Sequence, residues 1–269
     1  MFYVKVENNV KIAVYDLNPD ACKTVLMIHG WPLSNKIFEY QKRFLVECGY
    51  RVITLDLRGF GNSDAPAWGY DYDTLARDIY KVVCKLNLHY FTLIGFSMGG
   101  AIVLRYMNNY YGYGVEKLIL LGAAAPSFTS FEGFPYGVSR DSVDELIRLA
   151  KTDRAKFSKN FSEKLFYRPH SEEIKNWFYD ISLSASGIGT VETGYSLRDE
   201  RGMEDLCSVR IPTGIFHGKK DDIVPYELGV IQHEYIRGSK LFTFENSGHG
   251  IFYDELKKFN QQLLNYLRS

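Results

Sequence analysis

Gly95-Phe96-Ser97-Met98-Gly99 is the most informative segment of this 269-residue chain. It follows the apolar run Tyr90–Ile94 and leads into the helix-period pattern Met98–Asn108, so it predicts a strand, a sharp turn and a helix. Its two glycines leave room for a turn that holds the serine in strained backbone geometry. Free N–H groups at a helix start favour negative charge, which makes Ser97 a candidate nucleophile for acyl transfer. The alternative is a glycine-rich turn with an idle serine.

Outward from this turn, strand and helix patterns alternate. Short apolar runs of the kind buried on both faces of a sheet occur at Thr24–Ile28, Arg51–Leu55, Lys117–Leu121 and Thr213–Phe216. Helix-period stretches occur at Lys36–Cys48, Thr74–Leu86, Pro225–Ile236 and Asp254–Leu267. The first residues, Phe2–Val6 and Val10–Tyr15, alternate apolar and polar positions as in an antiparallel hairpin. The sequence therefore predicts an α/β fold, with a mostly parallel twisted sheet flanked by helices.

The alternation stops between Gly122 and Leu206, where aromatic residues and polar helix starts follow one another. Ser142 with Glu145 has the pattern of a capping box, and Ser171 precedes two glutamates. We interpret this stretch as a helical cap inserted into a single α/β core. The predicted domains are residues 1–121 (first part of the core), 122–206 (helical cap) and 207–269 (second part of the core).

A serine nucleophile near neutral pH needs a histidine base. In hydrolases with a strand-turn-helix nucleophile, the acid and then the histidine follow the serine in the chain. The candidates after Ser97 are His170, His217, His233 and His249. The first three lie in the predicted cap, at a strand end before any candidate acid, and inside a predicted helix. His249 stands in a glycine-flanked loop after the predicted strand Lys240–Phe244, and we predict that it is the base.

The acid that orients the base is one of two adjacent carboxylates. Asp221 and Asp222 follow the predicted strand Thr213–Phe216 and precede a helix with Pro225 near its start. Either could orient His249, and either could simply cap the coming helix, because aspartate is favoured at that position. The residue pattern alone leaves both assignments open.

The negative charge that forms on the substrate oxygen requires two N–H donors. Met98, which follows the nucleophile, supplies the first by position. The second is expected from the segment after the strand Thr24–Ile28, where Trp31 is the candidate through its backbone N–H. Pro32 restricts the conformation of the residue before it and helps to hold that N–H in place. The alternative is an ordinary proline turn.

Five segments together resemble the α/β-hydrolase superfamily: His29-Gly30-Trp31-Pro32, Asp56 through Asp64, Gly95 through Gly100, His217 through Pro225, and Ser247-Gly248-His249. Within the superfamily the chain is most similar to the cofactor-free bacterial haloperoxidases, or perhydrolases, and related carboxylesterases. The resemblance implies that Asp221 is the acid, with Asp222 as the alternative. It also implies that Asp56 and Arg58 are structural residues of their loop.

The resemblance implies hydrolysis of small carboxylic esters through an acyl-Ser97 intermediate. It also implies perhydrolysis, in which hydrogen peroxide replaces water, forms a peracid and supports halogenation without haem, metal or any other cofactor. Lactonases and carbon–carbon bond hydrolases share the serine and are the alternatives within the fold. Dehalogenases and epoxide hydrolases use a carboxylate nucleophile, against which Ser97 argues. A non-catalytic ligand-binding protein of the same fold is the alternative from a different class.

Composition limits the partners and the cellular location. The 32 Lys and Arg residues balance the 32 Asp and Glu residues, so no net field attracts nucleic acid or an anionic membrane. We therefore expect a small-molecule ester or acyl substrate, and neither nucleic acid nor a membrane as a partner. The first residues lack the pattern of a secretory signal. The four cysteines, which form no CxxC pair, are Cys22, Cys48, Cys84 and Cys207. Because nothing in this spacing suggests a disulfide framework, we expect a cytoplasmic location.

Overall fold

The computed structural model describes residues 1–269 and contains one eight-stranded sheet in the order β1-β2-β4-β3-β5-β6-β7-β8. The strands are β1 (Phe2–Glu7), β2 (Val10–Leu17), β3 (Lys23–Ile28), β4 (Tyr50–Leu55), β5 (Phe91–Phe96), β6 (Val115–Leu121), β7 (Thr213–Gly218) and β8 (Lys240–Phe244). β1 and β2 form an antiparallel hairpin, β2 pairs antiparallel with β4, and the strands from β3 to β8 are parallel. The predicted α/β architecture is confirmed.

Helices cover both faces of the sheet. They are α1 (Glu39–Glu47), α2 (Tyr72–Lys85), α3 (Met98–Asn109), α4 (Arg140–Thr152), α5 (Arg154–Lys164), α6 (Glu172–Leu183), α7 (Gly187–Asp199), α8 (Met203–Ser208), α9 (Tyr226–Tyr235), α10 (Ile251–Asp254) and α11 (Leu256–Arg268). No helix is both long and apolar enough to cross a lipid bilayer.

The central strands bury alternate residues in two separate hydrophobic layers. On β6, Leu118 and Leu120 pack into the layer formed with α2, α3 and α9. Ile119 and Leu121 pack into the opposite layer, formed with α1 and α11. Since successive side chains of a strand point to opposite faces, a continuous apolar run is the pattern that such a strand requires.

Of the two helix starts predicted for this stretch, one is wrong and one is confirmed. The capping box at Ser142 is wrong, because Ser139 is the N-cap of α4 and its hydroxyl accepts the N–H of Ser142 at 3.2 Å. The prediction at Ser171 is confirmed, since its hydroxyl accepts the N–H of Ile174 and caps α6. Both serines satisfy one of the free N–H groups of a first helical turn.

Between β6 and β7 the chain forms four successive helices, α4–α7, which we call the helical insertion (Arg140–Asp199). The next helix, α8, packs instead against α3 of the core. Its Asp205 accepts a 2.9 Å hydrogen bond from Arg105 on α3. The division of the chain at residues 122 and 206 stays a prediction.

Candidate active site

Ser97 lies in a sharp turn between β5 and α3, with φ of 54° and ψ of −122°. A positive φ is rare for a residue with a side chain, and such strain persists only where the surroundings enforce it. The strained conformation of Ser97 is held by close packing at the two flanking glycines. A Cβ at Gly95 would lie 2.5 Å from the carbonyl oxygen of Gly99, and a Cβ at Gly99 would lie 2.4 Å from that of His29. The predicted reason for both glycines is confirmed.

His249 follows β8 and packs beside the serine turn. Its imidazole lies 4.6 Å from the ring of Phe96, the residue before Ser97. Nδ1 donates a 2.7 Å hydrogen bond to Oδ2 of Asp221, and both side chains are fully buried. Because a carboxylate only accepts, Nδ1 carries the proton and Nε2 of the neutral ring carries a lone pair. Nε2 is buried and has no hydrogen-bond partner, so it is free to accept a proton.

Asp221 is held on both oxygens. Its Oδ1 accepts the N–H groups of Ile223 at 2.9 Å and Val224 at 2.8 Å, which closes the loop after β7. Its Oδ2 faces His249 and also lies 3.4 Å from Nε2 of His217. Burial alone would raise the pKa of Asp221, but the attraction to His249 in its protonated form and the hydrogen bonds from both histidines outweigh burial and lower this pKa.

The two adjacent aspartates lie in different environments. Asp221 is buried against His249, whereas Asp222 is exposed and lines the pocket in front of Ser97. The backbone turn that closes on Asp221 directs the next side chain away from the histidine. Only Asp221 therefore has the contact that an orienting acid requires.

The turn after β3 approaches Ser97 from the other side. A Cβ at Gly30 would lie 2.6 Å from Cβ of Ser97, so the backbone leading into Trp31 passes directly beside the nucleophile. The N–H of Trp31 donates to no protein acceptor. The N–H of Met98 belongs to the first residue of α3 and has no acceptor within the helix. The two predicted donors thus flank Ser97 with free N–H groups.

Trp31 also joins this turn to the helical insertion. Its indole Nε1 donates a 2.8 Å hydrogen bond to the carbonyl oxygen of Thr190 on α7. Its ring packs against Phe157 of α5 at 5.0 Å between centroids. The position of the Trp31 side chain therefore depends on two helices of the insertion.

His29 supports the same turn from inside the core. Its Nε2 accepts the N–H of Leu57 at 3.0 Å, and its Nδ1 lies 2.9 Å from the carbonyl oxygen of Gly30. Burial lowers the pKa of His29, and the opposing effects of Asp56 and of the Gly30 carbonyl are smaller. The hydrogen bond accepted by Nε2 requires the neutral ring, so the turn is built around an uncharged histidine.

Asp56 and Arg58, which the resemblance implied to be structural, belong to hydrogen-bonded networks that do not include Ser97. Asp56 is buried and accepts from the backbone and side chain of Asn35 at 2.8 and 2.9 Å. Arg58 is buried and pairs with Asp78 at 2.7 Å and with Glu7 at 3.0 Å.

A pocket of about 790 Å³ opens onto Ser97. Its walls are mostly apolar and come from the helical insertion and its flanks, with Phe128, Leu146, Leu149, Phe157, Phe161 and Leu197 among the lining residues. Charged side chains also line the pocket, including Arg148, Lys156, Lys164 and Asp222. A cavity that combines apolar walls with polar groups next to a reactive side chain is typical of a small-molecule site.

Two residues near the site were missed by sequence reasoning. His217 was set aside as a base, yet it lies beside the Asp221 carboxylate. Asp254 was predicted as the start of a helix, yet its carboxylate accepts the N–H of Gly248, next to His249, at 2.7 Å. The contact of His217 with Asp221 spans only four residues, so this spacing was the available signal. Asp254 has no signal of its own, because its bonds with Tyr167 and Arg168 join residues 87 and 86 positions apart.

Known proteins are similar to this chain in sequence and in fold. The family model described as alpha/beta hydrolase fold matches residues 23–256. The AB hydrolase superfamily protein YisY from Bacillus subtilis is 43% identical over 267 residues, which cover 99% of each chain. The structure of the esterase EaEST from Exiguobacterium antarcticum has 47% identity and a TM-score of 0.97, over 99% of both chains. The bromoperoxidase from Bacillus anthracis has 36% identity and a TM-score of 0.96, over 100% of this chain and 99% of its own.

Proposed function

The chain belongs to the alpha/beta hydrolase fold family, and from this premise we propose that Ser97, His249 and Asp221 form its catalytic triad. The predicted family resemblance is confirmed. The protein is a serine hydrolase that acts on small esters, as its similarity to an esterase shows. Similarity to a bromoperoxidase and to a bifunctional esterase/perhydrolase supports the further proposal that hydrogen peroxide can also attack the acyl-enzyme. The assignment of each residue is supported most strongly by the bond between His249 and Asp221, which leaves Nε2 of His249 free beside the serine turn.

In the first half of the reaction, the Ser97 hydroxyl attacks the ester carbonyl while Nε2 of His249 takes its proton. Asp221 accepts from Nδ1–H and stabilises the imidazolium that forms. The carbonyl oxygen becomes an oxyanion and accepts hydrogen bonds from the N–H groups of Met98 and Trp31. Nε2–H then protonates the leaving alkoxide, the carbon–oxygen bond breaks, and an alcohol departs from acyl-Ser97.

In the second half, water loses a proton to His249 and attacks the acyl carbon. The carboxylic acid leaves and Ser97 regains its proton. Hydrogen peroxide reacts in the same way and yields a peracid, which oxidises halide to hypohalous acid in solution. The two activities use the same groups and differ only in the molecule that attacks the acyl-enzyme.

Replacing the nucleophile tests the triad directly. Ser97→Ala is expected to lower kcat on short-chain nitrophenyl esters by ~10³-fold or more, because the triad acts as a unit. Ser142→Ala is the matched control, since this serine lines the same pocket but lies outside the triad. An organofluorophosphate is expected to label the parent and the control on Ser97 and to leave Ser97→Ala unlabelled. An active Ser97→Ala enzyme would overturn the assignment, and an unreactive parent would favour a non-catalytic binding protein.

Pro32 is proposed to favour perhydrolysis by fixing the Trp31 peptide beside Ser97. Pro32→Leu is expected to lower the rate of peracid formation relative to the rate of ester hydrolysis, both measured on one ester with and without hydrogen peroxide. Equal ratios in the parent and the variant would remove Pro32 from this role. A screen over acyl chain lengths and lactones, run alongside, distinguishes an esterase from a lactonase.

We also propose a cytoplasmic location. All four cysteines are free and three of them are exposed, which suits a reducing compartment. Fractionation of the source cells with an antibody to the protein tests this, and recovery outside the cytoplasmic fraction would contradict it.

A further inference from the structure

We propose that Asp254 is a positioning residue for His249 and that it ties the base to the wall of the substrate pocket. The inference rests on the proposed function, because it assumes that His249 is the catalytic base. Asp254 is the last residue of α10, and its side chain is fully buried. It contacts neither Ser97 nor the pocket, so its effect on the reaction is exerted through the loop that carries His249.

The carboxylate of Asp254 joins two segments that are otherwise separate. Oδ2 accepts the N–H of Gly248 at 2.7 Å and the N–H of Tyr167 at 2.9 Å. Oδ1 accepts the N–H of Arg168 at 3.1 Å and lies 2.8 Å from Nε2 of His170. All four contacts come from donors, so both oxygens are satisfied as acceptors and the buried charge is compensated.

The segment that meets Asp254, Leu165–His170, connects α5 to α6 within the helical insertion; we call it the connecting segment. It crosses directly over the His249 loop. The carbonyl oxygen of Leu165 accepts the N–H of Gly250 at 2.7 Å. The His249 loop is therefore bonded to the connecting segment directly at Gly250 and, through the Asp254 carboxylate, at Gly248.

The two glycines that flank His249 are explained by the same contact. A Cβ at Gly248 would lie 2.8 Å from the backbone nitrogen of Tyr167. A Cβ at Gly250 would lie 2.6 Å from the ring of Phe166. Side chains at either position would push the two segments apart, so both glycines are needed for close approach to the connecting segment.

The connecting segment continues from α5, and α5 lines the pocket through Phe157, Phe161 and Lys164. A displacement of α5 by a bound substrate is thus passed to Asp254 and from there to the backbone next to His249. Nδ1 of His249 is already fixed by Asp221, so the backbone position sets where Nε2 points. Asp254 therefore determines the position of the backbone that orients Nε2 of His249, whereas Asp221 fixes the proton on Nδ1.

Asp254→Asn is the decisive variant. An amide group keeps one acceptor oxygen, but its NH₂ must face an N–H donor on one side, which forces the two segments apart. We expect kcat per active site to fall by about 10- to 100-fold, the effect of misplacing a reacting group by about 1 Å. Titration with an organofluorophosphate counts the reactive Ser97, so any unfolded fraction does not enter kcat. KM is expected to change much less.

His170→Asn and Asp144→Asn are the companion variants. His170→Asn weakens the contact of Asp254 with the connecting segment and removes the packing of the imidazole on Phe166, 4.5 Å between ring centroids, but it leaves the bond of Asp254 with Gly248 in place. It is expected to raise KM more than it lowers kcat. Asp144→Asn removes a carboxylate elsewhere in the insertion, where it pairs with Arg198 at 2.5 Å, and is expected to leave both constants unchanged. Equal losses of kcat in the Asp254 and His170 variants would overturn the positioning role.

The outcome of this test is distinct from that of the proposed function. An inactive Ser97→Ala enzyme together with parent-like kcat in Asp254→Asn would refute the positioning role and leave the triad intact. If Asp254→Asn does not fold, Gly250→Ala is assayed in the same way, because its Cβ displaces Phe166 while Asp254 remains. A kcat per labelled site that falls by about 10-fold supports the coupling, and an unchanged value refutes it.

Discussion

Asp221 carries its charge in a fully buried position between two histidines. Oδ2 faces His249 at 2.7 Å and His217 at 3.4 Å, and two backbone N–H groups hold Oδ1. Removal of a charge from water is costly unless hydrogen bonds replace the lost hydration. Here they do, and the carboxylate stays ionised where it can stabilise a protonated His249.

The first prediction concerns the choice of acid. Asp221→Asn is expected to lower kcat by ~10⁴-fold, because an amide favours the wrong tautomer of the base. Asp222→Asn is the matched control and is expected to retain most of the parent kcat, since Asp222 is exposed and does not contact His249. Steady-state kinetics on one nitrophenyl ester compare the two. Retained activity in Asp221→Asn with loss in Asp222→Asn would reverse the assignment.

At this scale the sequence identified some residues better than others. Ser97 has a local signal in its turn, and His249 follows from chain order. The choice between Asp221 and Asp222 depended on a family resemblance, because only the turn that closes on Oδ1 determines which of two adjacent carboxylates faces inward. Asp254 has no signal, because its partners at Tyr167 and Gly248 meet it only in the folded chain.

At the scale of elements, Arg58 joins three parts of the core. Its guanidinium, in the turn after β4, is fully buried and makes a two-pronged pair with Asp78 of α2 at 2.7 and 2.8 Å. It also pairs with Glu7 of β1 at 3.0 Å. Burial alone would lower the pKa of Arg58, but its hydrogen bonds and charge interactions with these carboxylates raise it. The pair thus links the amino-terminal hairpin to the face of the sheet that α2 covers.

The second prediction concerns Asp78, whose buried carboxylate would lose its partner if Arg58 were replaced. Arg58→Met removes the partner of buried Asp78 and is expected to lower the free energy of unfolding by about 3–5 kcal/mol, the cost of leaving a buried charge unpaired. Arg43→Met is the control, because its pair with Glu47 lies on the exposed face of α1 and is expected to matter far less. Urea unfolding of both variants measures the difference. Equal destabilisation by the two would contradict this account.

Element types could be predicted because strands buried on both faces and amphipathic helices have distinct apolar patterns. The residues at which the elements begin and end were harder to predict. α4 begins after Ser139 and not at Ser142, since two serines three residues apart both suit an N-cap and only the backbone geometry distinguishes them. The stretch predicted as one helix from Lys36 begins with a 3₁₀ turn, Asn35–Phe38, before α1. Asn35 is held there by Asp56, a contact across 21 residues.

At the scale of the whole molecule, stability is expected to fall on acidification in two stages. The folded state lowers the pKa of His29 below its usual value of 6.5, chiefly through burial. Its contribution is therefore complete above pH 6.5 and is lost as pH falls, because the unfolded chain binds the extra proton. Asp221, with a lowered pKa, contributes fully above its usual value of 3.8 and loses its contribution in more acidic solution.

The third prediction isolates the first stage. His29→Gln keeps an acceptor for the Leu57 N–H but does not titrate, so its stability is expected to fall less steeply than that of the parent below pH 6.5. One titrating group accounts for a slope of at most ~1.4 kcal/mol per pH unit. Urea unfolding at several pH values between 7 and 5, roughly the range over which a histidine titrates, compares the slopes. Identical slopes would show that His29 does not govern this stage.

The burial of His249 and Asp221 behind a pocket that opens on Ser97 also orders events in time. Neither His249 nor Asp221 is exposed, so in the proposed reaction the ester, the departing alcohol and the next attacking molecule all use the same cavity. Because the proposed reaction passes through acyl-Ser97, the alcohol leaves before water or peroxide attacks, and reactants alternate in a ping-pong sequence. Any small alcohol present at high concentration competes with water for the acyl group. In the proposed reaction, the helical insertion that shapes this cavity contributes to the ratio of hydrolysis, perhydrolysis and ester exchange, because it determines which of these molecules reach the acyl group.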